Sequence, residues 1–195
     1  TVQDTYMLRH PESLRFCGFQ NVTINIPQCM YRAARAGERS YEGLVAEIDK
    51  MMDLCVKAHE QKRARIAEMI SGPGFPLWQI GKEACDGKPY VELDKATYII
   101  GVNDAVKFLI GQEFHENEEA LRLGEKLVAH MFLRCKKLSV KHKMKLTLEE
   151  SPAESAARRL AKADLVYYRD EALQVFKGGS EDVAYYTNSV HLSAD

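Results

Sequence analysis

The sequence lacks the features that define membrane-spanning, secreted and nucleic-acid-coating proteins. No apolar run approaches the roughly 18 residues of a spanning helix, and no basic-then-apolar leader opens the chain. The formal charge of −1, from 27 basic and 28 acidic residues, provides no general attraction for nucleic acid or for an anionic membrane. Any phosphate would therefore be bound locally, and the sequence predicts a cytoplasmic protein.

Cysteine is scarce, and its spacing is irregular. The chain has five cysteines and no Cys-x-x-Cys pair, which argues against a disulfide framework and against a four-thiolate zinc site. The histidines likewise show no paired-ligand spacing, so we expect no metal site made entirely within this chain. Of the 195 residues, 46% are hydrophobic, which is enough to bury a core as a single domain.

Hydrophobic periodicity predicts a mixed fold in which strands alternate with helices. A strand over 20–27 has one apolar and one polar face, and a helix over 41–70 repeats apolar residues at three- and four-residue intervals. The other predicted elements are a buried strand at 97–102 that feeds a helix capped by Asn103, a helix from Asn117 to about Cys135, a strand at 144–148, a helix at 152–164 and a last strand at 183–191. This order is typical of an α/β barrel or sheet.

A thiol stands beside the first predicted strand. Cys17 lies on a glycine-containing turn, and the strand that follows alternates β-branched residues with Thr23 and Asn25. A polar face of this kind fits the wall of a reaction chamber, and it also fits an ordinary half-exposed strand.

The segment Ser151-Pro-Ala-Glu-Ser155 has the spelling of a helix start. Ser151 and Glu154 have the spacing of a capping box, with a proline at the first helical position. The free backbone amides of such a first turn also form an anion site, to which Ser155 could add a hydroxyl. The pattern alone leaves both interpretations open, a simple cap and a phosphate site.

Four segments, in order along the chain, carry a resemblance to one enzyme family. They are Asn21-Val-Thr-Ile-Asn-Ile-Pro27, Gly101-Val-Asn-Asp-Ala-Val-Lys107 with Phe114-His-Glu-Asn-Glu-Glu-Ala120, Ser151-Pro-Ala-Glu-Ser155, and Tyr185-Tyr-Thr-Asn-Ser-Val-His-Leu192. Together they resemble motifs of the anaerobic, class III ribonucleoside-triphosphate reductases, which belong to the glycyl radical enzymes.

The resemblance implies both a fold and an activity. The fold would be a fragment of the ten-stranded α/β barrel of this enzyme type, with residues 1–195 a single segment of the catalytic barrel. The allosteric nucleotide-binding region, the zinc site and the glycyl radical loop would be absent, so this chain alone would be inactive. The parent enzyme would reduce ribonucleotides to deoxyribonucleotides by thiyl and glycyl radical chemistry. Two alternatives are a nucleotide-binding or scaffold subunit without radical activity, and another glycyl radical enzyme related to pyruvate formate-lyase.

The resemblance also implies roles for individual residues. Cys17 would form the thiyl radical, unless the radical cysteine lies upstream and Cys17 is a buried inert thiol. Asn25 would face the ribose hydroxyls, whereas Cys29 and Cys55 are expected to be packing residues. The substrate phosphates would dock at Ser151, Ala153, Glu154 and Ser155. The residues that would line the reaction chamber are Thr23, Asn103, Tyr186, Thr187, Asn188 and His191.

The cofactors and partners implied by the resemblance lie mostly outside this chain. A glycyl radical and a zinc ion would be held elsewhere in the parent protein, and formate or a small redox protein would supply electrons. The implied partners are ribonucleoside triphosphate substrates, ATP and deoxynucleotide effectors, a radical S-adenosylmethionine activating enzyme, the remaining segments of the reductase and a second copy in a homodimer. No nucleic acid and no membrane are expected.

Overall fold

The computed structural model describes residues 20–70, 74, 95–150 and 153–188. Cys17, Ser151 and His191 lie outside the described residues. In chain order the elements are β1 (Gln20–Asn25), α1 (Ile26–Arg35), α2 (Tyr41–Ile70), β2 (Lys95–Ile100), α3 (Val102–Ile110), α4 (Glu118–His142), β3 (Leu146–Glu150), α5 (Glu154–Tyr167), α6 (Arg169–Ala172) and a 3-10 turn (Glu181–Val183).

The three strands form a parallel sheet in the order β1, β2, β3. Asn25 aligns with Ile100, and Ile99 aligns with Glu150, so the carboxyl ends of all three strands lie at one edge. Each parallel connection needs a crossover, and helices lie between each pair of strands in sequence. The predicted mixed fold is therefore confirmed. A ten-stranded barrel is not seen, because the described residues are mostly helical and contain three strands.

The core lies between the sheet and the two long helices. The helix predicted over 41–70 has the observed bounds of α2. Helix α4 begins after Asn117, whose side-chain oxygen accepts from the Glu119 amide at 2.7 Å and so caps the helix, and it runs about two turns beyond the predicted end. The two helices bury apolar residues that include Leu44, Ile48, Met52, Leu127 and Met131. No helix within the described ranges is long and apolar enough to cross a membrane.

Two predictions near the carboxyl edge of the sheet are wrong: the residue at which β1 ends and the residue that caps α3. β1 stops at Asn25, because Ile26 and Pro27 begin α1, where a proline without an N–H suits the first turn. The N-cap of α3 is Gly101 rather than Asn103. Gly101 has φ +81, and a Cβ there would lie 2.5 Å from the Pro27 ring, so glycine permits both this backbone and the close approach.

Two further predictions, at the C-terminal side of the chain, are also corrected. Helix α5 begins at Glu154 with Ala153 as its N-cap, two residues later than the predicted start at residue 152, and the capping box of Ser151 with Glu154 stays a prediction because Ser151 lies outside the described residues. The strand predicted over 183–191 is not present within residues 183–188, which hold the end of the 3-10 turn and one isolated bridge, between Lys177 and Tyr185. The backbone there is satisfied by other partners instead of a sheet ladder.

Candidate functional site

A cavity of about 930 Å³ opens at the carboxyl edge of the sheet. It lies where β2 turns into α3, and the start of α5 and the segment after the Lys177–Tyr185 bridge form its other walls. Ligands of α/β proteins commonly bind at this edge, because loops and helix N-termini converge there. The polar residues of its lining include Asn103, Glu113, Glu154, Arg158, Lys177 and Asn188.

Glu113 is a charged group of the cavity wall that several donors hold in place. Its carboxylate accepts from Lys107 Nζ at 2.8 Å and from Asn103 Nδ2 at 3.0 Å, and it also pairs with Lys177. Burial works to raise the pKa of Glu113, but the hydrogen bonds from Lys107, Lys177 and Asn103 outweigh it and hold the pKa at about 2. The Asn103 oxygen also accepts from the Phe114 amide at 2.9 Å, so Asn103 fixes the turn after α3. This cluster is an ionised, rigid part of the cavity wall.

Asp104 anchors the closing segment, residues 184–188, which forms one wall of the cavity. Its Oδ2 accepts from the Thr187 amide at 2.7 Å and from the Thr187 hydroxyl. The Thr187 carbonyl in turn accepts from the Gly101 amide at 2.8 Å. Asp104 is fully buried, and burial raises its pKa to about 6 even though both bonds from Thr187 favour the charged form.

Asn188 reaches the N-terminus of α5. With its amide oxygen toward the helix, Asn188 accepts from the backbone amides of Ala153 and Glu154, each at 3.2 Å. These two amides belong to the first turn that the sequence predicts as an anion site. An uncharged oxygen of the chain itself therefore satisfies two of the free amides at the start of α5.

A second polar network lies behind the cavity, around the fully buried Asp164. Its Oδ2 accepts from Asn25 Nδ2 at 2.7 Å and from the Tyr186 hydroxyl at 2.9 Å, and its Oδ1 accepts from Gln28 Nε2 at 2.8 Å. The Tyr31 and Tyr186 hydroxyls are 3.1 Å apart. Burial raises the pKa of Asp164, while the bonds from Asn25, Gln28 and Tyr186 oppose that rise. The network joins β1, α1 and α5 to the closing segment.

The described cysteines have the environment of packing residues. Cys29, Cys55 and Cys135 are buried and free. Burial raises the pKa of Cys29 and Cys55 to about 12 and that of Cys135 to about 11, so these thiols stay protonated and unreactive at neutral pH. The predictions that Cys29 and Cys55 are packing residues are confirmed.

The predicted site residues fall into four groups. Asn103, Glu154, Thr187 and Asn188 meet at the cavity, and Asn25 and Tyr186 meet at Asp164. Thr23 and Ser155 are exposed, on β1 and in the first turn of α5, and Ala153 is half-buried beside Ser155. Cys17, Ser151 and His191 lie outside the described residues. The chemical roles of all these residues stay predictions.

Asp164, Glu113 and Lys177 were missed at the sequence level. Asp164 carried a usable signal, since it falls on the stripe of α5 that buries Ala157, Ala161 and Leu165, where a carboxylate needs hydrogen-bond partners. Glu113 and Lys177 are far apart in sequence and carry no comparable signal. No group of three or more potential metal ligands occurs in the part of the chain that the structure describes.

The parallel sheet, with polar residues around a cavity at its carboxyl edge, places this chain in the class of α/β proteins. Proteins of this class bind their ligands at that edge. The family model "Anaerobic ribonucleoside-triphosphate reductase" matches residues 6–195, and the chain belongs to this family. A search of curated proteins gave no match.

Solved structures share the fold. The anaerobic ribonucleotide reductase of Thermotoga maritima with glycerol in its active site is 21% identical, with a TM-score of 0.61 over 78% of this chain and 24% of that chain. The structure of the same enzyme in complex with dATP and CTP is 21% identical, with a TM-score of 0.61 over 78% of this chain and 25% of that chain. Another anaerobic ribonucleotide reductase structure is 19% identical, with a TM-score of 0.63 over 78% of this chain and 23% of that chain. The chain thus spans about a quarter of the length of these relatives.

Proposed function

We propose that this chain is a segment of the catalytic barrel of an anaerobic ribonucleoside-triphosphate reductase, which reduces ribonucleotides to deoxyribonucleotides by thiyl and glycyl radical chemistry. Family membership over residues 6–195 supports the reaction class. The observation that carries the proposal is the convergence of Asn103, Glu154, Thr187 and Asn188, from three distant motifs, around one cavity.

We further propose that the three parallel strands belong to a ten-stranded α/β barrel. Parallel sheets are buried on both faces, so a three-stranded parallel sheet is most easily understood as part of a larger one. Among the described residues, β1 and β3 each pair on one side only, with β2. Residues 1–195 would then be one barrel segment, with the allosteric region, zinc site and radical loop in other parts of the reductase.

Substrate phosphates would bind at the start of α5. The first-turn amides of Ala153, Glu154 and Ser155 lie at the positive end of the helix dipole, and Arg158 and Lys177 add cationic groups to the same cavity. Ser151 would contribute from just upstream. The ribose would then lie toward β1, where Asn25 stands at the carboxyl end of the strand.

Cys17 would carry out the hydrogen transfer. As a thiyl radical its sulfur would take the 3′-hydrogen of the ribose, forming an S–H bond as the C–H bond breaks and leaving the radical on the sugar. The 2′-hydroxyl would then take up a proton and leave as water, while the 3′-hydroxyl loses its proton and becomes a carbonyl. A radical carrier must lie in contact with its target and be shielded from bulk water, and a loop inside a barrel meets both conditions.

The remaining cofactors and partners would come from other parts of the system. A glycyl radical would supply the unpaired electron. The glycine would lie in another part of the reductase, and an S-adenosylmethionine-dependent activating enzyme would generate the radical on it. Formate or a redox protein would supply the two electrons for reduction, zinc would be structural and outside this chain, and ATP and deoxynucleotides would act as effectors on a homodimer. The T. maritima structures with dATP and CTP support a nucleotide-binding role.

Replacing the thiol with a hydroxyl tests the role of Cys17. In the complete reductase, activated under strict anaerobiosis, we expect Cys17→Ser to abolish deoxynucleotide formation while substrate affinity stays nearly unchanged. The reason is that an O–H bond is too strong for serine to replace the thiol as hydrogen-atom carrier. Turnover is measured by product formation, and substrate affinity is measured by calorimetry.

Cys29→Ala is the matched control, because Cys29 is a buried packing thiol near the same strand. We expect this variant to keep its turnover at some cost in stability, about 1 kcal/mol for the lost sulfur contacts. Normal turnover in Cys17→Ser would show instead that the radical cysteine lies upstream and that Cys17 is structural.

A further inference from the structure

The side chain of Asn25 is held in one of its two possible amide orientations. An ionised carboxylate only accepts hydrogen bonds, so the group of Asn25 that faces Asp164 at 2.7 Å must be the NH2. Rotating the amide by half a turn would place its oxygen against the carboxylate, which loses the bond and adds repulsion. The Asn25 oxygen is therefore left facing away from Asp164.

Asp164 cannot turn to release this constraint, because its other bonds hold it as well. Gln28 Nε2 binds Oδ1 at 2.8 Å, and the Tyr186 hydroxyl binds Oδ2 at 2.9 Å. Gln28 is itself fixed by Arg32, whose guanidinium donates to the Gln28 oxygen at 2.8 Å. Three donors, two at the junction of β1 and α1 and one in the segment 184–188, thus converge on one buried carboxylate.

The Asn25 oxygen is a buried acceptor with no hydrogen-bond partner in the part of the chain that the structure describes. Leaving such an acceptor unpaired costs about 1–3 kcal/mol, so native proteins rarely keep one without a use. Asn25 ends β1 at the carboxyl edge, beside Ile100 and one residue from the level of Gly101, which lines the cavity. Asn25 does not itself line the cavity, but its oxygen lies at the same edge of the sheet, where the ribose would lie under the proposed function.

We infer that Asp164 is a positioning residue that orients the Asn25 amide so that its oxygen accepts from a ribose hydroxyl of the substrate. The inference rests on the proposed function, since that function supplies the ribose. Asp164 itself touches no substrate. Its contribution is to exclude the amide orientation that would present NH2, a donor, to the sugar.

The test compares a single substitution with an exchange of the two side chains. Asp164→Asn replaces one of the two carboxylate oxygens with an NH2 group, which is a donor. The side chain then no longer accepts from all of Asn25, Tyr186 and Gln28, so it no longer imposes the orientation of the Asn25 amide. In the complete activated reductase we expect kcat to fall at least about tenfold, while the Kd for the ribonucleoside triphosphate changes less than about threefold. The phosphate contacts, which are distant from Asp164, would preserve binding.

The exchanged pair, Asn25→Asp with Asp164→Asn, should restore turnover to within about threefold of the parent. In that pair the new amide at 164 donates to the new carboxylate at 25 and to Tyr186, while its oxygen still accepts from Gln28. The atom facing the ribose is again an acceptor. Asn25→Asp alone should be impaired, because it places two carboxylates in contact. Asp170→Asn, the same change at an exposed position on α6, should leave turnover unchanged.

Each outcome separates the inference from the proposed function. If the parent enzyme neither binds nor reduces ribonucleotides, the proposed function fails. If the parent is active and Asp164→Asn keeps its kcat, Asp164 does not position Asn25. If circular dichroism shows that the exchanged pair is folded and it remains as slow as the single variant, the hydrogen-bond orientation is not what turnover requires, and the inference is overturned.

Discussion

Asp104 and Glu113 lie close to one cavity, yet their pKa values shift in opposite directions. Burial acts to raise both, and the outcome depends on the donors each carboxylate receives. Glu113 accepts hydrogen bonds from two lysines and from the side-chain amide of Asn103, and its pKa is held at about 2. Asp104 accepts hydrogen bonds from the backbone amide and the hydroxyl of Thr187, which are neutral donors, and its pKa is raised to about 6. Its Oδ1 has no hydrogen-bond partner among the described residues.

The raised pKa of Asp104 predicts a pH dependence of stability with a defined sign. Below about pH 4, Asp104 is protonated in the folded and unfolded states alike. As the pH rises from about 4 to about 6 the unfolded chain ionises first, so Asp104 lowers the free energy of unfolding, by on the order of 3 kcal/mol at most. We expect Asp104→Asn to remove this decrease, because an amide keeps an acceptor for Thr187 and cannot ionise. Urea unfolding at several pH values measures the difference between variant and parent.

Asp170→Asn is the control for this prediction, since Asp170 is exposed and its substitution should leave the profile of the parent. Glu113 contributes with the opposite sign. Its lowered pKa stabilises the fold above about pH 4.5, and that stabilisation is lost as the pH falls toward about 2. An Asp104→Asn profile that runs parallel to the parent between about pH 4 and 6 would show that burial does not disfavour the Asp104 carboxylate.

Single residues were predictable from the sequence where packing decides their role. Cys55 follows an apolar helical stripe and Cys29 comes just after a predicted strand, and the structure buries both. Asn103 was assigned as an N-cap because asparagine often occupies that position. In the structure its side chain instead bonds Glu113 and the Phe114 amide, 10 and 11 residues away. Such a choice among partners depends on the turn that α3 makes, which a local pattern does not contain.

The long helices were predictable as elements, and the ends near the site were not. Helices α2 and α4 follow from sustained 3.6-residue periodicity. The ends of β1 and α5 depend on contacts with distant residues. Helix α5 starts where Asn188, more than thirty residues away, caps it, and β1 ends where Pro27 packs under Gly101. Propensity within a short window cannot report either contact.

The start of α5 is the element on which phosphate binding depends. Asn188 presents an uncharged oxygen to the amides of Ala153 and Glu154. A phosphate has more charge than this oxygen and gains more from the helix dipole, about 0.3–2 kcal/mol from the dipole alone. We therefore expect a phosphate to compete with Asn188 for these amides or to bind beside it, at Ser155.

Placing a negative charge at this helix start should separate anion binding from helix capping. We expect Ser155→Asp to weaken nucleotide binding by at least about tenfold, or about 1.4 kcal/mol, because the new carboxylate repels the phosphates. The helix should tolerate the change, since an acid in the first turn favours the dipole. Calorimetry on the complete, folded reductase measures the affinity, and thermal unfolding measures the stability.

Ser155→Asn is the matched control, because it is close in size to aspartate and carries no charge. Its nucleotide affinity should stay within about threefold of the parent. Equal affinity for Ser155→Asp and the parent would reduce the start of α5 to a simple cap and would remove the phosphates from this turn.

At the scale of the whole molecule, a short closing segment, residues 184–188, connects regions far apart in sequence. Tyr186 binds Asp164, Thr187 binds Gly101 and Asp104, and Asn188 binds the start of α5. The family resemblance implied that Asn103, Tyr186, Thr187 and Asn188 line one chamber. Which residues touch was not predictable, because the alternation of this segment suggested a strand, whereas its polar groups bind α3, the N-cap of α3 and α5.

Removing one hydroxyl from the closing segment should show how much of the fold this connection supports. Thr187→Val keeps the shape of the side chain and the amide bond to Asp104 but deletes the hydroxyl donor. We expect the free energy of unfolding at pH 7 to fall by about 1.5–3 kcal/mol, the range for a hydrogen bond to a charged group. Losing that donor also raises the Asp104 pKa, so the loss should shrink below about pH 4, where the carboxyl is neutral. Thr23→Val, the same change at an exposed position on β1, is the control and should stay within about 0.5 kcal/mol at both pH values. A loss for Thr187→Val that is equal at both pH values would mean that the hydroxyl does not stabilise the ionised form of Asp104.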